Sequence, residues 1–250
     1  MSDGDTDLTS RFRKSLVVVT GGGSGMGKAS VQRFVAEGAF VLAVDLTGDA
    51  GTYAAEFGGA AELVRADVTS QDDWMTVADR VKARGGRLSV LVNCAGLFLT
   101  GSLETEDTNT LQRTFEVNQR GPLLGTQSML PFLRATEGSA VVNVASGAGL
   151  FGMTGALGYT ASKWALRGIS RSLARELAPN IRVNCVFPGL IDTPMMANNS
   201  DEVNAAFVAN TPLRRTGRPT EIASIIAFLA SYEASYLTGC EIAADGGLTA

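Results

Sequence analysis

Short runs of apolar, mostly β-branched residues alternate along the chain with longer amphipathic segments. Nearly every position in the short runs is apolar. This is typical of parallel strands covered by helices on both faces, because strands with one solvated face alternate apolar with polar residues. The pattern predicts strands at residues 16–20, 39–44, 61–66, 88–93, 139–145, 181–186 and 240–243.

The segments between these strands have the periodicity and the boundary residues of helices. Thr220 stands directly before Glu221 as a start signal, and Pro179 follows the fourth segment as a stop signal. Because strands and helices alternate along the whole chain, we expect one α/β domain with a doubly wound parallel sheet, which binds ligands at the carboxyl ends of its strands. The predicted helices are residues 25–37, 71–84, 108–134, 159–177 and 220–230.

Two segments depart from this alternation. Residues 1–14 begin with a polar, acidic stretch, so we expect a frayed tail before a domain that spans residues 15–250. Residues 192–215 contain two prolines and a pair of adjacent methionines, and we expect a mobile, partly helical substrate lid there.

Composition narrows the possible chemistry. Of the 250 residues, 45% are hydrophobic and 18% are charged, which is typical of a soluble globular protein. The sequence contains no histidine, which excludes Ser-His-Asp and Cys-His nucleophiles and zinc sites with imidazole ligands. Because Cys94, Cys185 and Cys240 are far apart, we expect neither a disulfide framework nor a metal site, and a reducing cytoplasm fits best.

The charge pattern bears on possible partners. The formal net charge is −4 and the charges are scattered, so we expect neither nucleic acid nor a membrane surface as a partner. The longest uncharged run, residues 138–162, is interrupted by glycines and polar side chains, and we interpret it as a buried strand and a loop rather than a membrane span. The polar N-terminus lacks the apolar core of a signal peptide.

A glycine-rich turn, Thr-Gly-Gly-Gly-Ser-Gly-Met-Gly at residues 20–27, connects the first strand to the first helix. Glycines let the backbone approach a pyrophosphate, which the free N–H groups of a helix N-terminus bind. Asp45 ends the second strand, where a carboxylate can accept hydrogen bonds from the adenosine ribose and repel a 2′-phosphate. Because Ser24, Leu46 and Thr47 offer no positive charge, we expect NAD rather than NADP.

Other interpretations of these residues stay open at this point. A glycine-rich turn also occurs where elements pack tightly, and Asp45 would equally suit a solvated strand end. Asp67 and Val68, at the end of the third strand, fit either the edge of the adenine or a cap for the helix that starts near Ser70.

Tyr159 and Lys163 are four residues apart on a predicted helix, so their side chains share one face. A cation at this distance favours tyrosinate, and we expect it to lower the phenol pKa from about 10. Tyr159 is therefore a candidate general acid and base, although such a pair taken alone is more often a surface pair.

Together these motifs resemble those of the short-chain dehydrogenases/reductases. The resemblance spans about residues 16–247, and one departure is Cys94, where the family usually carries a second Asn. It implies a single-domain Rossmann fold whose seven parallel strands have the order 3-2-1-4-5-6-7. The motifs, which occur in family order and spacing, are the turn at residues 20–27, Asn93-Cys94-Ala95-Gly96, Asn118, Ser146, Tyr159 with Lys163, Pro188-Gly189, Thr193 and Asp245-Gly246-Gly247.

The resemblance implies a catalytic tetrad of Asn118, Ser146, Tyr159 and Lys163 that acts, without a metal, on a carbonyl or a secondary alcohol. Tyr159 would donate the proton in reduction, and Ser146 would hold the substrate oxygen. Lys163 would hold the nicotinamide ribose, and Asn118 would support a water that links Lys163 to solvent. The implied cofactor-binding residues are Gly21, Ser24, Gly25, Met26, Gly27, Asp45, Leu46, Asp67, Val68, Asn93, Ala95, Gly96, Tyr159, Lys163, Pro188, Gly189, Ile191 and Thr193.

The side chains expected near the substrate are mostly apolar, although they would also suit plain packing. They favour an uncharged alcohol or ketone, because a phosphorylated sugar or a small acid would need an Arg or Lys clamp. The expected substrate residues are Phe98, Ser146, Phe151, Met153, Tyr159, Met195 and Met196.

The resemblance favours an NAD-dependent secondary-alcohol dehydrogenase, for hydroxysteroids or for cyclic or aryl alcohols, and implies a homotetramer. A 3-oxoacyl-(acyl-carrier-protein) reductase is the alternative. Such enzymes usually use NADPH and dock an acidic carrier, which Asp45 disfavours but a cluster of Arg167, Arg171 and Arg175 would allow. A non-catalytic nucleotide-sensing protein is a third hypothesis, but such proteins typically lose the Tyr or the Lys, and this chain keeps both.

Overall fold

Seven strands form one parallel sheet in this structure, a computed structural model that describes residues 10–250 apart from the side chains of residues 197 and 198. The order β3-β2-β1-β4-β5-β6-β7 and the parallel pairing confirm the predicted fold. The strands are β1 (Leu16–Thr20), β2 (Phe40–Asp45), β3 (Ala61–Arg65), β4 (Val90–Asn93), β5 (Ser139–Val144), β6 (Ile181–Pro188) and β7 (Glu241–Ala244).

Helices cover both faces of the sheet. They are α1 (Gly25–Ala36), α2 (Ala50–Glu56), α3 (Gln71–Ala83), α4 (Thr108–Phe115), α5 (Gly121–Arg134), α6 (Leu157–Glu176), α7 (Asp201–Asn210) and α8 (Pro219–Ala230). Val17 and Val19 pack into a core with α1 and α8, whereas Val18 packs into the opposite core with α3 and α5. Burial on both faces explains why the strand segments are apolar at nearly every position. Among the described residues, no helix is both long and apolar enough to span a bilayer.

The predicted helix over residues 108–134 is interrupted. α4 ends at Phe115, one π-helical turn (Glu116–Arg120) follows, and α5 begins at Gly121. The fully buried Asn118 lies in the middle of this turn. Single π turns inside helices are frequent at functional sites. The short helix α2 was not predicted either, and Asp49 caps it by accepting a hydrogen bond from Thr52 N at 2.8 Å.

The described part of the predicted tail packs against the domain. Phe12 is only 3% exposed, and its ring meets that of Phe34 edge-on at 4.8 Å. The Arg11 guanidinium donates two hydrogen bonds of 2.7 Å each to the Glu37 carboxylate. Residues 11 and 12 therefore belong to the domain, while residues 1–9 of the predicted tail lie outside the described residues.

Residues 192–215 follow β6, and an isolated bridge between Ile191 and Gly217 closes the two ends of this segment. Asp192 N donates to Gly217 O, and Gly217 N donates to Leu190 O, both at 2.9 Å. Between these ends lie a 3-10 turn (Pro194–Asn198) and α7, so the segment is partly helical as expected. Met195, Met196 and Phe207 of this segment line the same cavity as Pro188, the last residue of β6.

Candidate active site

The glycine-rich turn after β1 leaves no room for a side chain at Gly27. Gly25 has a φ of +51°, in the left-handed region, and a Cβ on Gly27 would lie 2.0 Å from the carbonyl oxygen of Gly21. The Thr20 hydroxyl accepts hydrogen bonds of 3.0 Å from both Cys94 N and Ala95 N. These bonds tie the turn after β1 to the turn after β4.

The turn borders a cleft of about 830 Å³ at the carboxyl ends of β1 to β4. α1 starts beside it with no side-chain cap and no acidic residue in its first turn, so its N-terminal N–H groups stay available to an anion. This arrangement fits a dinucleotide pyrophosphate. The predicted cofactor residues that line the cleft are Gly21, Ser24, Gly25, Met26, Gly27, Asp45, Leu46, Asp67, Val68, Ala95, Gly96 and Thr193.

Asp45 points toward the glycine-rich turn. Its Oδ2 accepts a hydrogen bond from Gly23 N at 2.9 Å, and its Oδ1 accepts from Thr47 N and Thr47 Oγ1 at 3.1 Å. A carboxylate has about four acceptor positions, so room remains for a hydroxyl donor. A ribose hydroxyl can use that position, whereas a 2′-phosphate would meet a fixed negative charge.

Six of the predicted cofactor residues do not line the cleft: Asn93, Pro188, Gly189 and Ile191, and also Tyr159 and Lys163, which are described below. Asn93 is 2% exposed and donates from Nδ2 to Asn143 Oδ1 at 2.8 Å, so it braces β4 against β5 beneath the cleft. The side chain pairs across neighbouring strands, a contact that sequence spacing does not reveal. Pro188, Gly189 and Ile191 line a smaller cavity next to the cleft.

The α4 wall of the cleft was not predicted. Its positions follow the i, i+3, i+4, i+7 spacing of one helical face, which would have identified them once the cleft was known. Asp67 lines the cleft and its Oδ1 accepts from Thr69 N at 2.8 Å, while Ser70 caps α3. The cleft-lining residues that sequence reasoning missed on α4 and the π turn are Asn109, Gln112, Arg113, Glu116 and Val117.

A second cavity, of about 110 Å³, is lined by two of the four predicted tetrad residues, Ser146 and Tyr159. Met26, Thr193 and Met195 line both cavities, so the two adjoin. All the predicted substrate residues line the small cavity: Phe98, Ser146, Phe151, Met153, Tyr159, Met195 and Met196. Sequence reasoning did not single out Asn199, Phe207 and Leu248, which also line it. Among the described residues that form its wall, none is Lys, Arg, Asp or Glu.

Tyr159 lies in the first turn of α6 and is 9% exposed. Burial raises the pKa of its phenol, and a hydrogen bond with Ser146 offsets part of that rise. The expected lowering by Lys163 is not observed, because the Lys163 Nζ lies 5.7 Å from the Tyr159 ring centroid and the loss of hydration dominates. The phenol is therefore protonated at neutral pH.

Lys163 is 3% exposed, and its Nζ donates to Val144 O at 3.1 Å. Burial lowers its pKa to about 8. The same Nζ lies 3.6 Å from the position that a Cβ on Gly96 would occupy, so glycine at that cleft-lining position keeps space in front of the ammonium. An ammonium has three donors, and the others can serve hydroxyl groups in the cleft.

Asn118 connects three elements through its amide. Its Oδ1 accepts from Leu97 N at 2.7 Å, and its Nδ2 donates to Leu97 O at 2.8 Å and to Ser162 Oγ at 3.1 Å. Both amide hydrogens are used in these bonds. The side chain thus holds the loop after β4 against the helix that carries Tyr159 and Lys163.

The chain is similar to known proteins over almost its whole length. The family described as enoyl-(acyl carrier protein) reductase matches residues 21–249. The chain is 37% identical over 245 residues to a 3-alpha-(or 20-beta)-hydroxysteroid dehydrogenase of Mycobacterium bovis, covering 97% of this chain and 92% of that one. It is also 37% identical over 243 residues to a 3-oxoacyl-(acyl-carrier-protein) reductase of Thermotoga maritima, covering 95% and 99%.

A solved structure extends the likeness to the whole fold. A short-chain dehydrogenase/reductase of Brucella melitensis, titled a glucose/ribitol dehydrogenase, superimposes with a TM-score of 0.91 at 34% identity. The match covers 96% of this chain and 99% of that one.

Proposed function

Because the chain belongs to the short-chain dehydrogenase/reductase family, we propose that it transfers a hydride between NAD and an uncharged secondary alcohol or ketone. The observation that carries the proposal is the buried Tyr159 beside Ser146, in a small apolar cavity that adjoins a large cleft. Dehydrogenases of this family use nicotinamide cofactors. The free N-terminus of α1 and the backbone contact at Gly27 support a pyrophosphate in the cleft, and Asp45 supports NAD over NADP.

Each residue of the tetrad has its own role in the proposed reaction. In reduction, the Tyr159 phenol donates a proton to the substrate oxygen while the Ser146 hydroxyl hydrogen-bonds the same oxygen. In oxidation, Tyr159 takes the proton back. Lys163 holds ribose hydroxyls with its free donors, and Asn118 positions the α6 face that carries both residues. The bound cofactor supplies or accepts the hydride.

The wall of the small cavity supports an apolar substrate. Phe98, Phe151 and Met153 surround the reacting group, and an uncharged wall leaves a carboxylate or phosphate without a counter-ion. Residues 192–215 act as the lid in this proposal, because Met195 and Met196 belong to both that segment and the cavity wall.

Assembly and compartment complete the proposal. Leu157 and Trp164 on α6 are large apolar side chains with exposures of 46% and 44%, and Leu103 in the loop before α4 is 84% exposed; a homotetramer that assembles through α6 would cover the first two. We place the enzyme in the cytoplasm, as its separate cysteines suggest. Light scattering that gave a monomer mass would contradict the tetramer.

NADH formation tests the activity. Purified protein is assayed with NAD and with NADP over simple cyclic, aryl and steroid secondary alcohols, together with a cyclic alcohol that carries a carboxylate. We expect NAD-dependent oxidation of the uncharged alcohols. The variant Tyr159→Phe should lose turnover and keep NADH affinity, measured by calorimetry, because the phenyl ring fills the same space without a proton to transfer. Turnover unchanged in this variant would contradict the assignment.

A 3-oxoacyl-(acyl-carrier-protein) reductase is the second candidate, favoured by the matched family description and by the Thermotoga maritima relative. Its docking surface would need free cations near the site. Arg167 binds the Glu241 carboxylate at 2.7 Å, and Arg171 lies 3.7 Å from the same group, so their charge is partly neutralised. Reduction of an acetoacetyl thioester faster than of any simple ketone would favour this candidate.

A further inference from the structure

Arg65 lies at the outer rim of the large cleft, next to its lining residues but not among them, and close to the residue that we propose selects the cofactor. It ends β3 and pairs in register with Asp45, at the end of β2. Paired positions on neighbouring strands lie about 5 Å apart. The Arg65 Nε donates to Leu46 O at 3.1 Å, and both Leu46 and Ala66, the next residue along the chain, line the cleft.

The Arg65 charge has no counter-ion among residues 10–250 as the structure describes them. Other cations nearby are paired: Lys28 binds Glu56 at 2.9 Å, and Arg84 binds Glu62 at 3.0 Å. Only the Nε of Arg65 is used, so its two terminal nitrogens remain available as donors. The side chain is exposed, and turning it toward the cleft would require no buried contact to break.

Asp45 does not neutralise Arg65. Both carboxylate oxygens face other partners, Gly23 N on one side and Thr47 on the other. The rim therefore carries two opposed determinants: a fixed anion that accepts ribose hydroxyls, and a free guanidinium on the adjacent strand. A guanidinium binds phosphate in a bidentate way, more strongly than a neutral donor does.

We propose that Arg65 is a specificity-determining residue, a ready ligand for the 2′-phosphate of NADP that the Asp45 carboxylate alone keeps out of use. The inference rests on the proposed use of NAD. The sequence did not indicate it, since Arg65 is distant from the glycine-rich turn along the chain and reaches the rim only through the pairing of β2 with β3. The proposal implies that a substitution at Asp45 alone can reverse the preference for NAD over NADP.

Calorimetric binding of NADH and NADPH tests this without any substrate. We expect the wild type to prefer NADH. Asp45→Ser should raise NADPH affinity by about tenfold or more, since a charge-assisted contact replaces a repulsion. Adding Arg65→Gln to this variant should remove most of the gain in NADPH affinity. The control is the addition of Arg80→Gln, which should leave the gain unchanged. Arg80 is an exposed arginine outside the cleft and pairs with Glu62. The gain should shrink in high salt, because the contact is exposed.

Two results would overturn the inference: an Asp45→Ser protein that binds NADPH no better than wild type, or a double variant with Arg65→Gln that keeps the full gain. A melting curve checks folding of each variant, and Asp45→Asn, nearly equal in shape, replaces Asp45→Ser if that protein is unfolded. A wild type that binds neither cofactor would instead refute the proposed function and this inference with it. NADH binding with failure of the variants would refute the inference alone.

Discussion

The ring of Phe98 meets the ring of Tyr159 edge-on, with centroids 4.8 Å apart and planes inclined by 78°. Phe98 comes from the loop after β4 and Tyr159 from the first turn of α6, so the contact joins two elements that Asn118 also connects through Leu97 and Ser162. An edge-on aromatic pair restricts rotation of both rings. The contact thereby restricts the orientation of the phenol that we propose as the acid and base.

Replacing Phe98 by Ala should lower kcat/KM for the best alcohol by about tenfold, which corresponds to the loss of about 1.4 kcal/mol of aromatic packing. The variant Phe98→Leu keeps an apolar wall, so its kcat/KM should lie between those of the wild type and of Phe98→Ala. Phe228→Ala, at a residue of α8 outside both cavities, is the matched control. Steady-state kinetics measure the effect, and an unchanged kcat/KM in Phe98→Ala would show that the ring contact does not position the phenol.

The raised pKa of Tyr159 predicts opposite pH dependences for the two reaction directions. Alcohol oxidation needs the phenolate, so kcat/KM for oxidation should rise with pH into the alkaline range, whereas reduction uses the phenol and should decline there. Ser146→Ala removes the bond that lowers this pKa, so besides losing rate it should move the rise for oxidation to higher pH. Identical profiles for the two directions would contradict the role of Tyr159.

Lys163 should destabilise the ligand-free fold at neutral pH. Its folded pKa of about 8 lies below the value of about 10.4 for an unfolded lysine. Between these two pH values the folded state has released a proton that the unfolded state keeps. The free energy of unfolding therefore rises with pH over this range. Below pH 8 the buried charge destabilises the fold by its full amount. Lys163→Met should therefore unfold at a higher temperature than wild type at pH 7, by a margin that shrinks toward pH 10.

Thermal unfolding of the cofactor-free proteins at both pH values checks this difference. Lys82→Met, at an exposed position of α3, is the control and should show no such pH-dependent margin. A Lys163→Met protein less stable than wild type at pH 7 would contradict the prediction.

Glu37 should contribute strongly to stability above its pKa. Its side chain is 4% exposed and binds both Arg11 and Arg33. Burial raises the pKa of Glu37, but the hydrogen bonds from the two guanidinium groups outweigh it and lower the pKa below 4.5. This stabilisation is therefore present at neutral pH and is lost as the pH falls through the lowered value.

Glu37→Gln should reduce the free energy of unfolding at pH 7 by about 3 kcal/mol, because the buried Arg11 then keeps only Glu233 as a counter-ion and Arg33 loses its ion pair. Denaturant unfolding measures the change, with Glu104→Gln on an exposed loop as the control. The difference from wild type should shrink in acid, where Glu37 itself is protonated. A difference that stays constant across that range would exclude the ion-pair explanation.

Much of the site followed from local sequence signals. The apolar runs predicted the strands because helices cover both faces of most of the sheet, and the glycines of residues 20–27 predicted a backbone that approaches a ligand closely. The four-residue spacing of Tyr159 and Lys163 likewise placed them on one face of a helix. Such features depend on a few consecutive residues, which is why they can be read along the chain.

Other features depended on contacts between distant segments. The interruption of residues 108–134 lies where Asn118 bonds to Leu97 and Ser162, and helix periodicity alone does not report such bonds. The attachment of Arg11 to Glu37 and the position of Arg65 beside Asp45 have the same origin. The sequence by itself determined the kinds of element, their order and the candidate chemistry, because periodicity, glycine conformation and residue type are local properties. Only the tertiary structure decided which charges are paired and in which direction the pKa of Tyr159 shifts, because burial and distance depend on the packing of the whole domain.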